Sequence, residues 1–111
     1  MRVFVSYALR DRYITKELLG SFRECAKNQG IDCYVDLLDN DYNEEGFQKK
    51  LINILKNCDA FLIVDSLEYA NSKWTKKEME IAKDLQIKIL KIDSSKLEKI
   101  CLNNLDICTL F

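Results

Sequence analysis

The stretch DAFLIVD, Asp59–Asp65, has an unbroken apolar centre held between two acids. So short a run, bounded by polar residues, suits a strand. Having no polar alternation, it suits a strand covered on both faces, as in a parallel sheet. What flanks it agrees. On the C-terminal side, Ser66–Asn71 reads as a loop, and Ser72 can cap a helix running to Leu85. Gln86–Ile92 (QIKILKI) is the next strand, Ser95–Leu102 a short helix and Asp106–Phe111 (DICTLF) a last strand. On the N-terminal side, Glu44–Asn57 is helical, with Phe47, Leu51, Ile54 and Leu55 on one face. Leu37–Asn43 is an acidic connection, and Asp32–Asp36 (DCYVD) is a strand. Asp11–Asn28 is a helix striped by Ile14, Leu18, Phe22, Cys25 and Ala26, with Gly30 as its stop. Arg2–Ser6 is the first strand. Strands and helices alternate throughout. The spacing predicts an α/β domain over residues 1–111, an open parallel sheet with helices on both faces.

Composition narrows the function classes. The 111 residues make one domain, and 48% are apolar. Net charge is −1, from 17 basic and 18 acidic residues, which offers no general attraction to nucleic acid or an anionic membrane. No segment has the length of a membrane span. The start, MRVFVSY, reads as a strand and not as a secretion signal, so the cytoplasm is the expected location. Cys25, Cys33, Cys58, Cys101 and Cys108 form no CxxC pair, and there is no histidine. No metal site is expected, and the histidine-based nucleophile systems are excluded. Chemistry must rest on carboxylate, hydroxyl, amine, thiol or backbone groups.

One carboxylate stands out. On the helix of SKWTKKEMEIAKDL, Ser72–Leu85, set Trp74 at zero and step about 100° per residue. Ile81, Leu85 and Ala82 then lie at about −20°, +20° and +80°, with the lysines opposite. Glu78 falls at about 40°, inside the apolar arc. A buried carboxylate is costly unless it has a partner or a chemical role. A structural partner, a lysine or a backbone amide, is one explanation. A cleft is the other. Ligands of open α/β sheets bind beyond the carboxyl ends of the strands, where strand order reverses. Ser6–Tyr7, Asp36, Asp65–Ser66 and Asp93 occupy those ends, and Glu78 follows the third strand closely enough to join them.

Three blocks resemble Toll/interleukin-1 receptor (TIR) domains. SYALRD, Ser6–Asp11, is similar to the family's first-strand signature. EEGFQKKLINIL, Glu44–Leu55, resembles the stretch leading into its second helix. FLIVDSLEYANSKWTKKE, Phe61–Glu78, resembles its third strand and loop, with Tyr, then Ser-x-Trp, then Glu four residues after the Trp. The resemblance implies a flavodoxin-like fold, a five-stranded sheet in the order 2-1-3-4-5, here with a shortened C-terminus. It also implies one of two roles. Many TIR domains cleave NAD at the nicotinamide–ribose bond, in signalling or defence. Others are non-enzymatic adaptors that act by self-association. In the enzymes the essential glutamate occupies the position of Glu78. By the same resemblance Ser6 and Tyr7 would line the substrate site, with NAD as substrate and no cofactor. Asp36, Asp65 and Ser66 join them as strand ends of the same rim, and Trp74 is the last candidate, a residue that more often packs its helix than touches substrate. A related class acting on N-glycosidic bonds, such as a nucleoside deoxyribosyltransferase, would use a similar carboxylate. A phospho-receiver domain needs paired acids after its first strand, where this chain has Ser6–Tyr7.

Overall fold

The computed structural model describes residues 1–8, 14–35, 47–66, 68–69 and 73–103, with the side chains of 47, 48, 73, 74, 102 and 103 excepted. Strands β1 (Arg2–Ser6), β2 (Asp32–Val35), β3 (Ala60–Asp65) and β4 (Lys88–Asp93) alternate with helices α1 (Lys16–Asn28), α2 (Phe47–Lys56), α3 (Lys73–Asp84) and α4 (Ser94–Asn103). All pairings are parallel, and the described strands lie in the order β2-β1-β3-β4. This is the flavodoxin-like α/β sheet. The strand expected over 106–111 lies outside the described residues.

Alternation along the strands splits the core in two. Val3, Val5, Leu62 and Val64 face α1 and α4, where they meet Leu19, Phe22, Leu97 and Ile100. Phe4, Phe61 and Ile63 face α2 and α3, against Leu51, Leu55 and Ala82. All five apolar residues of the AFLIV run are buried, as a strand covered on both faces requires. On the second face, register places Phe4 beside both Tyr34 and Phe61. The three rings form a ladder across β2, β1 and β3, with centroids 5.5 Å apart at each step. Cross-strand aromatic pairs of this kind stabilise the sheet beyond the area they bury.

Helix ends differ from the sequence expectation in informative ways. α1 begins at Lys16, because Thr15 is extended and its side chain accepts from the Leu18 amide at 3.1 Å. Ile14 is buried from the segment before the helix. The buried stripe of α1 runs through Leu19, with Leu18 half-buried beside it. At the other end, Gly30 donates to Lys27 O and Ile31 to Ala26 O. This paired bonding needs a left-handed residue between the helix and the strand, and Gly30 has φ 80°.

α3 ends in the same way, with Gln86 donating to Lys83 O and Ile87 to Ala82 O. Here the left-handed position is Gln86, at φ 59°, so the fourth strand starts at Lys88 and not at Gln86. A side chain in this conformation costs about 1 kcal/mol or more. Gln86→Gly is therefore expected to stabilise the domain by about 0.5–1 kcal/mol net of the added unfolded-state freedom. Equilibrium urea unfolding checks this; a loss of stability would refute the strain at Gln86.

Candidate functional site at the sheet's switch point

The chain steps from β1 to β2 on one side and then crosses back to β3 on the other side of β1, so the strand order reverses between β1 and β3. The last residue of β1, Ser6, pairs in register with Ile63 of β3. The carboxyl end of the β1/β3 pair is therefore the switch point, where ligands of open α/β sheets bind.

Glu78 is brought there by α3. The buried face of this helix is centred on Thr75, Glu78 and Ala82, each 0–2% exposed. Met79, Ile81 and Leu85 are only half-buried and lie to the flanks. The helix is turned so that its carboxylate sits at the middle of the contact. Ser6 donates to Glu78 Oε1 at 3.0 Å, and Ser6 Oγ also lies 2.8 Å from the Tyr69 hydroxyl. A serine has one proton to give. With that proton on the carboxylate, Tyr69 must donate to Ser6. The result is a directed chain, Tyr69 to Ser6 to Glu78. Thr75 anchors it by donating to the Tyr69 carbonyl at 2.9 Å.

Burial, with the Glu78 and Asp65 charges nearby, pushes the Tyr69 hydroxyl up to about 12, the Ser6 hydrogen bond opposing. Its proton is retained in the folded protein after the unfolded chain has lost it near 10. The folded state then binds more protons. This contribution to stability is full below pH 10 and lost as pH rises through about 12. Urea unfolding between these limits should show a decline that is shallower in Tyr69→Phe than in wild type; parallel declines would contradict the assignment.

The remaining expected residues separate. Tyr7 is buried but packs in the α1/α4 layer, since it follows Ser6 and points the other way. Asp65 ends β3 and pairs with Lys91 at 3.5 Å, both partly exposed. Ser66 lies just beyond, its carbonyl accepting from the Tyr69 amide at 3.2 Å. Its hydroxyl oxygen is buried and meets no hydrogen-bond partner among the described residues. Asp93 serves the fold by capping α4, where Oδ1 accepts from the Ser95 amide at 2.9 Å and from its hydroxyl at 2.7 Å. These bonds hold its carboxyl below the usual range. Asp36 and the Trp74 side chain lie outside the described residues, as does Ser72. Tyr69 and Thr75 were not among the expected site residues. The Tyr of the third block was visible in the sequence, but its reach to β1 depends on the loop.

A groove of about 550 Å³ opens at the opposite rim, lined among others by Arg2, Arg23, Lys27, Asp32, Tyr34 and Cys58. It lies at the helices' C-terminal ends, whose dipoles disfavour anions, and Asp32 and Glu24 offset its cations. Burial, with Asp59 nearby, pushes the Cys58 thiol up to about 11, which disfavours the reactive thiolate. The switch point, with its ordered polar chain, is the stronger candidate. Among the described residues no group of three or more His, Cys, Asp or Glu could hold a metal ion, and no helix is long and apolar enough to cross a membrane.

An open parallel sheet in this order, with helices on both faces and a polar cluster at the switch point, defines a flavodoxin-like α/β domain. The sequence model of the TIR domain family matches residues 3–99, and the chain belongs to that family. Among solved structures it is similar to the TIR domain of the Toll-related receptor TRR-2 from Hydra magnipapillata. Identity is 16%, 92% of each chain is covered and the TM-score is 0.64, a likeness of fold. No curated protein sequence matches the chain.

Proposed function

We propose that this TIR domain cleaves NAD at the nicotinamide–ribose bond, with Glu78 as the catalytic carboxylate. The observation that carries the reading is a carboxylate 2% exposed at the switch-point end of the sheet, oriented by Ser6 and, through it, by Tyr69. Mere solvation does not account for a glutamate at the centre of a buried helix face. The chemistry suits a site with one such group and no histidine. The nicotinamide ring already carries a positive charge, so it departs as a neutral base without a general acid. The ribose left behind develops oxocarbenium character. A fixed negative charge near it stabilises that state, and does so more strongly away from water. Water then adds to the ribose carbon and releases a proton, giving ADP-ribose; attack by a group within the substrate would give a cyclic product.

In this reading Ser6 holds one carboxylate oxygen in place, and the tyrosine proton keeps Ser6 directed at it. Asp65 and Ser66 lie at the same carboxyl rim, and the family resemblance and the strand-end pattern propose Asp36 and Trp74 as further substrate positions. The test is nicotinamide release from NAD by purified protein at several concentrations, beside a Glu78 variant. Release that does not depend on Glu78 overturns its role.

A further inference from the structure

We infer that Thr75 is a positioning residue for the reaction: its hydroxyl ties the backbone of Tyr69 to the helix that carries Glu78, and this tie sets the aim of the carboxylate. The inference rests on the NAD-cleaving reading and adds to it a residue that does not meet substrate, since Thr75 is 0% exposed. Tyr69 acts at long range. Its hydroxyl stands 2.8 Å from Ser6 Oγ, 63 residues away along the chain. The phenol is a long, rigid arm, so a small rotation of the backbone becomes a larger displacement at the hydroxyl. Hydrogen bonds weaken steeply as distance and angle depart from their optimum. An arm of this kind delivers its hydroxyl reproducibly only if the backbone that bears it is fixed.

It is fixed on both sides. The Tyr69 amide donates to the Ser66 carbonyl at 3.2 Å, which ties it to the residue directly after β3. The Tyr69 carbonyl accepts from Thr75 Oγ1 at 2.9 Å, which ties it to α3. Thr75 and Glu78 stand one turn apart on the same buried face of that helix. The groups therefore close a circuit. It runs from Thr75 to the Tyr69 backbone, along the ring to Ser6, from Ser6 to Glu78 Oε1 at 3.0 Å, and back along one turn of α3. The helix that supplies the carboxylate thus also holds the residue whose hydroxyl, through Ser6, orders it. Loss of the Thr75 donor opens the circuit at the point farthest from the carboxylate. The effect on Glu78 then passes through Tyr69 and Ser6.

Two substitutions separate this role from simple packing. Thr75→Val keeps the shape and removes the donor; Thr75→Ser keeps the donor and removes a buried methyl group. Both should melt about 4–8 °C below wild type, one for the lost bond and one for the small cavity. Only Thr75→Val should lose turnover. Its kcat for nicotinamide release should fall about 10-fold, given that a misplacement of about 1 Å can cost roughly 10²-fold. KM should stay the same, because no contact with substrate is removed. In a Tyr69→Phe background, where the arm has no hydroxyl to aim, adding Thr75→Val should lower kcat by less than about 2-fold, the non-additivity expected of residues acting in one network. Nicotinamide release against NAD concentration and thermal melting are measured on wild type, both variants, Tyr69→Phe and the double variant. A fall in kcat confined to Thr75→Val and absent from the Tyr69→Phe background supports the inference. An equal fall in Thr75→Ser, or undiminished kcat in Thr75→Val, or the same fold-loss in both backgrounds overturns it and leaves NAD cleavage standing. Wild type that releases no nicotinamide at any protein concentration overturns NAD cleavage itself, and the role of Thr75 with it.

Discussion

Glu78→Gln is expected to lower nicotinamide release from NAD by about 10²–10³-fold, the usual cost of removing one group that stabilises transition-state charge. Glutamine is the informative replacement. Its amide oxygen can still accept from Ser6, which donates at 3.0 Å in the native protein. The side chain keeps its length within a face where Thr75 and Ala82 are fully buried. The negative charge is lost, and one acceptor oxygen becomes a donor amide. Glu78→Ala removes the charge too, but it leaves a cavity and strips the Ser6 hydroxyl of its acceptor, so a fall in activity would be mixed with a loss of stability. Initial rates of nicotinamide release, with thermal melting on the same samples, separate the two. Activity within a few-fold of wild type in a well-folded Glu78→Gln protein would remove Glu78 from the reaction. Silence from wild type at every protein concentration would leave an assembly module in place of an enzyme.

The second large effect is structural. Phe4→Ala is expected to destabilise the domain by about 3–5 kcal/mol. Phe4 is fully buried in β1 and stacks on Phe61 and on Tyr34, each at 5.5 Å. Truncation removes the middle ring of the ladder and opens a cavity between the sheet and the α2/α3 layer. Domains have about 5–15 kcal/mol in total, so this single change takes a large share. The melting temperature should fall by roughly 15–25 °C. Urea unfolding with an unchanged m-value would assign the loss to the native state. A loss below about 1 kcal/mol, far under the usual cost of such a truncation, would mean that the ladder is not packed as described. Because Phe4 lies two residues before Ser6 on the same face, activity should fall as well, even in the fraction that stays folded.

Much of this arrangement was legible beforehand because it follows from periodicity. The apolar centre of Asp59–Asp65 announced a strand covered on both faces, and the alternation of strands and helices announced the parallel sheet. Glu78 was visible because it broke a helical pattern. The direction of the break was readable as well, since a carboxylate inside an apolar arc must be buried or at a cleft. What periodicity cannot supply is long-range closure. The contact of Tyr69 with Ser6 spans 63 residues and depends on how the loop after β3 returns to the sheet. The separation of Ser6 from Tyr7 is a matter of pleat. Adjacent strand residues face opposite layers, so a shared motif divides between two environments. The left-handed Gln86 carried no signal because glutamine is not a residue that marks such a turn.

That division at the end of β1 has a mechanical side. The hydroxyl bonded to the carboxylate and the phenol ring buried in the α1/α4 layer hang from neighbouring links of one backbone. Any change that lets the ring settle deeper or ride higher tilts the intervening peptide, and the tilt re-aims the serine. Enlarging or trimming a residue under α1, far from Glu78 and on the reverse of the sheet, would thus act on the carboxylate as a lever acts across its fulcrum.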